Sequence, residues 1–434
     1  MVSINGIGVC STGDEIVFAT SLTAYIEGVK HKFCFLNIGK DFQAIGLIFS
    51  EISNFLRRKL GSHFFLEQKS QVLEPQSTSA FLAGFNERLV ALNSGKMEYY
   101  FLRNRALEKL SIGKQLSGGW VILSSRNLDY KELQQINYLT EMGFTPKGVV
   151  EQFLRGKTEP LSLAVAAINV NVSDNRLIRG NPAFCCLSDV GFTRKNNEDA
   201  CLTASFHLST LNKTTSYRVL CVADGAGGHG HGEVASKEAI LETFIQLGNR
   251  IIRKEAEADI QNMLRETINS ANRRILEIKS RMMSNMATTL TTVFINGSDI
   301  YVGHVGDSRV YLADVETGNI MQLTRDHKYV EDLVERGLIT KEEAKVHPQR
   351  NIITSALGMD NPRIDVLHYS NMFNGNSRVI VCSDGLSDLV DDEEISLQAI
   401  RRASPIEIAH SLIRLANERG GLDNISVVID GYIL

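Results

Sequence analysis

Beyond about residue 183, apolar and polar positions follow two alternating periods. Short β-type runs recur at 218–223 (RVLCVA), 291–295 (TTVFI), 300–305 (IYVGHV), 309–313 (RVYLA), 378–383 (RVIVCS) and 424–429 (NISVVI). Each is bounded by Gly, Asp or Asn, which often close strands. Between them the period lengthens to that of a helix. Residues 233–252 predict one helix. Residues 259–282 predict another, with Ile260, Leu264, Ile268, Ala271, Ile275 and Ile278 at helical spacing. Ser404 before Pro405 predicts a third start, with Ser as N-cap and Pro in the first turn. Strands grouped around paired helices predict a layered α+β domain with largely antiparallel sheets.

The chain has 434 residues, room for two or three domains. The polar, turn-rich stretch 171–182 (NVSDNRLIRGNP) predicts a linker between domains at 1–170 and 183–434. Hydrophobic residues make up 43%, enough for each half to bury a core. The net charge is −4 with acids and bases interspersed, which argues against nucleic acid and anionic membrane as partners. The seven cysteines are scattered and lack metal-site spacing, so a reduced, cytoplasmic compartment is expected. The N-terminus has no basic segment ahead of an apolar one and is not expected to act as a signal peptide. The apolar run 161–172 is too short to span a bilayer.

Acidic residues stand at the ends of the predicted strands. Asp224-Gly225 ends RVLCVA, Asp307 follows IYVGHVG, Asp384-Gly385 ends RVIVCS, and Asp423 precedes NISVVI. Glu198-Asp199 lies in RKNNEDA. Singly, each reads as a turn former or helix cap. Together they offer the oxygen ligands that Mg²⁺ or Mn²⁺ prefers. Glycine after Asp224 and Asp384 lets the backbone turn sharply beside an ion.

Seven blocks carry a family resemblance: SDVGFTRKNNEDA (188–200), VADGAGGHGHGEVAS (222–236), MATTLTTVFI (286–295), VGHVGDSRVYL (302–312), LTRDH (323–327), VCSDGLSDLVDDEEI (381–395) and GGLDNISVVI (420–429). Their order resembles that of the metal-dependent type 2C protein phosphatases, the PPM family, in its compact bacterial branch. The resemblance covers 183–434. It implies a four-layer α-β-β-α sandwich, with two antiparallel sheets flanked by helices. It also implies a serine/threonine phosphatase that uses Mn²⁺ or Mg²⁺ to hydrolyse phosphomonoesters.

Carried over residue by residue, Asp224, the Gly225 carbonyl, Asp384 and Asp423 resemble the ligands of a two-metal core. Asp199, with Glu198 beside it, resembles the acidic pair completing that core. Asp307 resembles a ligand of a third, weaker metal site. Arg194 resembles the arginine that grips the substrate phosphate. Two departures stand out: Ala226 replaces a Met or His, and Asn285-Met286-Ala287-Thr288 replaces Gly-Met-Gly-Thr. The implied mechanism is in-line attack by a water whose pKa two cations, roughly 3.5–4 Å apart, lower towards about 7. No catalytic Cys or Ser is needed.

Other residues have plainer readings. His229 and His231, in the Gly-rich loop 227–232, read as loop residues rather than ligands. Cys382 reads as a buried strand thiol. Residues 325–351 read as a charged helical insertion, in the position of the family's flap near the active site.

The first half resembles a worn copy of the second. Segments 32–42, 77–102, 118–136, 145–155 and 161–170 parallel 218–228, 287–312, the strand and turn around Asp384, 404–414 and the strand after Asp423, in the same order. The apolar pattern survives while the chemistry does not. Ser11 stands for Arg194, Ile16 for Asp199, Ile38 for Asp224, Lys96 for Asp307, Arg126 for Asp384 and Leu161 for Asp423. Basic residues where cations would bind oppose a metal centre. Residues 1–170 are therefore expected to be a catalytically dead phosphatase-like domain that regulates or binds, through contact within the chain or with a second copy. The expected partners are a phosphoserine or phosphothreonine protein and the opposing kinase. The competing classes are a non-enzymatic scaffold and a small-molecule phosphatase.

Overall fold

The computed structural model describes residues 7–11, 16–26, 29–39, 80–85, 88–94, 98–103, 106–109, 119–124, 128–141, 162–168, 182–210, 213–227 and 231–432, with short helical pieces within 45–57 and 149–153. Among the described residues the first half holds β1 (Ile7–Ser11), β2 (Ile16–Ile26), β3 (Val29–Gly39), β4 (Ala80–Phe85), β5 (Arg88–Ser94), β6 (Glu98–Arg103), β7 (Ala106–Lys109), β8 (Gly119–Ser124) and β9 (Ser162–Ile168). The second half holds β10 (Pro182–Asp189), β11 (Asp199–Thr210), β12 (Lys213–Ala226), β13 (Ala287–Thr288), β14 (Leu290–Asn296), β15 (Asp299–Val305), β16 (Arg309–Asp314), β17 (Ile320–Gln322), β18 (Asp365–Tyr369), β19 (Ser377–Cys382) and β20 (Ile425–Tyr432).

Among the described residues these strands form three antiparallel sheets. One runs β1-β9-β8-β6-β7, a second runs β10-β20-β19-β16-β17, and the largest runs β18-β15-β14-β12-β11-β2-β3-β4-β5. The large sheet passes through both halves. At its centre β11 pairs with β2, from Ala200 opposite Ile26 to Ser209 opposite Val17. Two strands that would each be an edge, with unpaired N–H and C=O groups, satisfy one another.

The predicted helices form with small changes at their ends. The 259–282 pattern becomes the Ile260–Met282 helix. Asp259 caps it by accepting from the Asn262 N–H at 3.0 Å, and all six periodic residues are buried. The 233–252 pattern becomes the Gly232–Ile252 helix. Pro405 opens the Pro405–Glu418 helix, and the Glu407 carboxylate accepts from the Ser404 N–H at 2.8 Å. The charged insertion contains two short helices, Tyr329–Glu335 and Lys341–Val346.

Among the described residues, apolar side chains of the second half gather in three clusters. One joins the large sheet to the Gly232–Ile252 and Ile260–Met282 helices, through residues such as Val219, Ile240, Leu264 and Phe294. A second lies between sheet faces and contains Cys201, Val222, Val302, Val381 and Val428. A third joins the smaller sheet to the C-terminal helices through Ile380, Leu386, Ile408 and Leu412. First-half residues Phe18, Leu22, Phe49 and Leu56 enter the first cluster. There Phe18, Phe49, Phe206 and Phe244 form a connected aromatic group. The Phe206 and Phe244 rings stack at 5.4 Å, and Phe18 meets Phe49 edge-on at 5.6 Å. Arg57 also pairs with Glu242 across the halves at 2.5 Å.

In the ladders Asp199 pairs with Asp224, Ile16 with Gly39 and Ile38 with Val17. Lys96, Arg126 and Leu161 lie outside the described residues, as does most of the expected linker.

Candidate active site

Two of the acids expected at strand ends lie on the sheet itself. Asp199 is the first residue of β11, Asp224 lies near the end of β12, and the two are cross-strand partners. Asp384 opens the short Asp384–Ser387 helix directly after β19, and Asp423 lies just before β20. Strands β11 and β12 of the large sheet pack against β20, and β12 also meets β19, so strand ends remote in sequence arrive together. Gly385 is required at this crossing, since a Cβ there would stand 2.0 Å from the Asn424 carbonyl oxygen.

The carboxylates perturb one another. Asp199 is buried, and burial pushes its pKa up to about 8. Ser383 and Ser426 hydroxyls oppose the rise, while Asp384 and Asp423 add to it. Burial also lifts Asp384 to about 7, with Asp307 contributing, and holds Asp224 well above the carboxylate range, with Asp199, Asp384 and Asp307 contributing. Asp224 and Asp384 keep partial solvent access while protein surrounds them on their other sides. Like charges held this close, in a poorly solvated place, retain protons unless cations offset them.

Polar side chains that the sequence reading passed over fix these acids. Ser383 Oγ donates to Asp199 Oδ2 at 2.8 Å. The Asp224 N–H donates to Thr289 Oγ1 at 2.9 Å, and Thr288 Oγ1 donates to the Asp224 carbonyl at 2.9 Å. Asn424 staples the 190–198 loop. Its Oδ1 accepts from the Glu198 N–H at 2.8 Å, and its Nδ2 donates to the Val190 and Asn196 carbonyls at 3.0 Å each. Ser383 and Asn424 sit in the same short blocks as the acids, whereas Thr288 and Thr289 lie in the separate block 286–295.

That stapled loop carries Arg194, whose Nη2 lies 2.7 Å from Asp423 Oδ2 while its guanidinium stays half exposed. Glu198 points its backbone inward. Its carbonyl accepts from Ser236 Oγ at 2.5 Å and from the Gly225 N–H at 3.2 Å. Asp307, beyond β15, is buried with neither carboxylate oxygen accepting a well-directed hydrogen bond, and Lys328 Nζ faces it at 3.0 Å. A histidine behind this turn holds it in place. The Gly306 N–H donates to His327 Nδ1 at 3.2 Å, so Nε2 carries the proton and donates to Asp365 Oδ2 at 3.1 Å. His231 caps the Gly232–Ile252 helix with a left-handed φ of 89° and contacts Glu233 of its own turn; His229 lies outside the described residues. Cys382 is a buried strand thiol whose pKa burial pushes up to about 12.

A family model described as Protein phosphatase 2C matches residues 194–413. The chain belongs to the protein phosphatase 2C family. It is 34% identical over 245 residues to a protein phosphatase 2C-type protein of Streptococcus pyogenes, covering 56% of this chain and 94% of that protein. It is 35% identical over 249 residues to the serine/threonine protein phosphatase PstP of Mycobacterium tuberculosis, covering 57% of this chain and 44% of that protein. The crystal structure of the M. tuberculosis phosphatase PstP/Ppp aligns with a TM-score of 0.50 and 33% identity, over 58% of this chain and 98% of that one. As a type 2C phosphatase the chain is a hydrolase of a metal-dependent family.

The donor set fits the hard divalent cations on which protein phosphatase 2C enzymes depend: it is all carboxylate and carbonyl oxygen. Among the described residues no three His, Cys, Asp or Glu side chains stand in a ready metal-holding arrangement. Asp423 is turned to Arg194 and Asp199 to Ser383. Among the described residues no helix is long and apolar enough to cross a membrane.

Proposed function

We propose that the chain is a serine/threonine protein phosphatase. In this reading Asp224, the Gly225 carbonyl, Asp384 and Asp423 hold two Mn²⁺ or Mg²⁺ ions, with Asp199 and Glu198 completing the site. The observation that carries it is geometric: Asp199 pairs with Asp224 across the β11–β12 ladder, and Ser383, beside Asp384, donates to Asp199, so a trio of acids remote in sequence meets and needs positive charge to ionise together. A non-enzymatic scaffold gains nothing from keeping such a trio.

When bound, the two cations supply an activated water and offset the charge that builds on the phosphate. The chain does the positioning. Arg194 carries a planar fork suited to two phosphate oxygens, and it is exposed enough to exchange Asp423 for substrate. Asn424 fixes the loop that aims it. Ser383 holds Asp199 toward the core. The relatives named serine/threonine phosphatases support a phosphoserine or phosphothreonine protein as substrate, and therefore a protein kinase as the opposing partner. Among the described residues Cys201, Cys221 and Cys382 are thiols outside any disulfide, which supports a reduced, cytoplasmic setting.

We further propose that residues 183–434 form a four-layer α-β-β-α sandwich and that 1–170 is a catalytically silent copy of it. Support for the layers comes from the three separate apolar clusters of the second half. Support for the copy comes from strand order. β1-β9-β8-β6-β7 runs parallel to β10-β20-β19-β16-β17, and β5-β4-β3-β2 to β15-β14-β12-β11. Its role is to cover β11 and the Gly232–Ile252 helix, whose N-terminal end adjoins Glu198 through Ser236.

The test compares Mn²⁺-dependent phosphate release from phosphoserine and phosphothreonine peptides with release from nucleotides and sugar phosphates. Preference for the peptides is expected. Turnover confined to the small molecules would assign the chain to the other substrate class.

A further inference from the structure

The expected third-site ligand, Asp307, already has a cation, and the chain supplies it. Nζ of Lys328 lies 3.0 Å from Asp307 Oδ2 and 3.5 Å from Asp388 Oδ1. Asp307 is 1% exposed and Lys328 6%. Among the described residues Lys328 is the one cationic side chain in ion-pair contact with Asp307. Its neighbour Asp326 does not compete for it, because Arg309 grips that carboxylate through Nε at 3.0 Å and Nη2 at 2.8 Å.

Lys328 is also held from behind. It forms a bridge with Ile353 at the root of the 325–351 insertion. Next to it, the Tyr329 N–H donates to the Ile352 carbonyl at 2.8 Å, and the Thr354 N–H donates to the His327 carbonyl at 2.7 Å. These bonds fix the Lys328 backbone, so that its short-range reach includes both Asp307 and Asp388. The pair is a contact of opposite charges at short range. A divalent cation needs carboxylate oxygen at roughly 2.0–2.6 Å. It cannot share Asp307 with an ammonium at 3.0 Å, because two cations so close in a poorly solvated site repel strongly.

We infer that the Lys328 ammonium fills the position a third divalent cation would take at Asp307, so that this chain works with two exchangeable ions and one built-in charge. This rests on the reading of Asp224, Asp384 and Asp423 as ligands of the two-ion core. The built-in charge does not dissociate. It also ties the root of the insertion to Asp388, which closes the short helix begun by Asp384.

The test is equilibrium dialysis of the full chain against Mn²⁺, with bound metal counted by atomic emission. Wild type is expected to saturate at two ions. Lys328→Ser, which frees Asp307, is expected to take up a third, and adding Asp307→Asn to that variant should remove it. Melting in chelator gives a readout independent of turnover: Lys328→Ser should melt lower than wild type and recover more on adding Mn²⁺. If Lys328→Ser does not fold, Lys328→Met preserves the bulk without the charge, and the wild-type count still decides. Three ions in wild type, or two in both proteins, would overturn the inference and leave the core reading standing. No bound ion in wild type would remove the core reading itself, and the inference with it.

Discussion

The ring of Phe49 sits so close to the backbone of Gly248 that a Cβ on Gly248 would lie 2.2 Å from the Phe49 Cζ. One residue belongs to the first half and the other to the helix that begins beside the acidic cluster. The contact makes the two halves one folding problem. Gly248→Val should force the ring out and destabilise the whole chain, and Phe49→Ala should cost about 3–5 kcal/mol through the cavity it leaves. Urea unfolding followed by fluorescence and circular dichroism would check both. Unchanged midpoints would mean that the halves are not coupled through this packing.

Asn424 holds the loop that aims Arg194, yet it touches neither metal nor substrate in this account. Asn424→Ala removes three hydrogen bonds to that loop. Activity is expected to fall by about 10–100-fold, the usual effect of losing a group that orients a ligand set. Steady-state kinetics should show the loss mainly in kcat/KM, with the melting temperature changed little.

Asp430 sits in the core, paired through Oδ1 with Arg218 at 3.0 Å, with Oδ2 accepting no hydrogen bond. Burial lifts its pKa to about 6, although Arg218 and a backbone N–H oppose the rise. Because the folded pKa lies above the unfolded one, this group's stabilising contribution is complete below about pH 4. It is lost as pH rises through 6. The change is on the order of 3 kcal/mol. Asp430→Asn should flatten that part of the stability–pH curve. A curve with the same slope in both proteins would contradict it.

Asp199 and Asp384 retain protons up to about 8 and 7. Cation binding must displace those protons, so Mn²⁺ affinity should rise as pH climbs from 6 to about 8. Without metal the sign reverses: the cluster's contribution to stability is full at low pH and lost as pH rises through 7 to 8. Calorimetric titrations in buffers of different ionisation enthalpy would count the released protons. Metal binding with no proton release across this range would contradict the assignment.

Much of the fold was legible because it is written in periodicity. Ile260, Leu264, Ile268, Ala271, Ile275 and Ile278 announced a helix, and each of them is buried. The acids were visible as residue types at strand ends. What the sequence hid was pairing. Nothing local says that Asp199 faces Asp224 across a ladder, or that β11 takes β2 from the other half as its neighbour. Edge pairing depends on unsatisfied backbone groups, which every strand shares whatever its side chains. Lys328 was missed for a related reason. In sequence it is one charge in a charged insertion, and only the fold of 325–354 turns it inward onto Asp307.

The proposal that these carboxylates hold catalytic cations meets its most direct test in phosphate release by the full-length chain from a phosphothreonine peptide. The account predicts turnover with Mn²⁺ or Mg²⁺, none with excess chelator, and background rates for Asp384→Asn in a protein that still folds. Turnover that persists with chelator and in Asp384→Asn would contradict it.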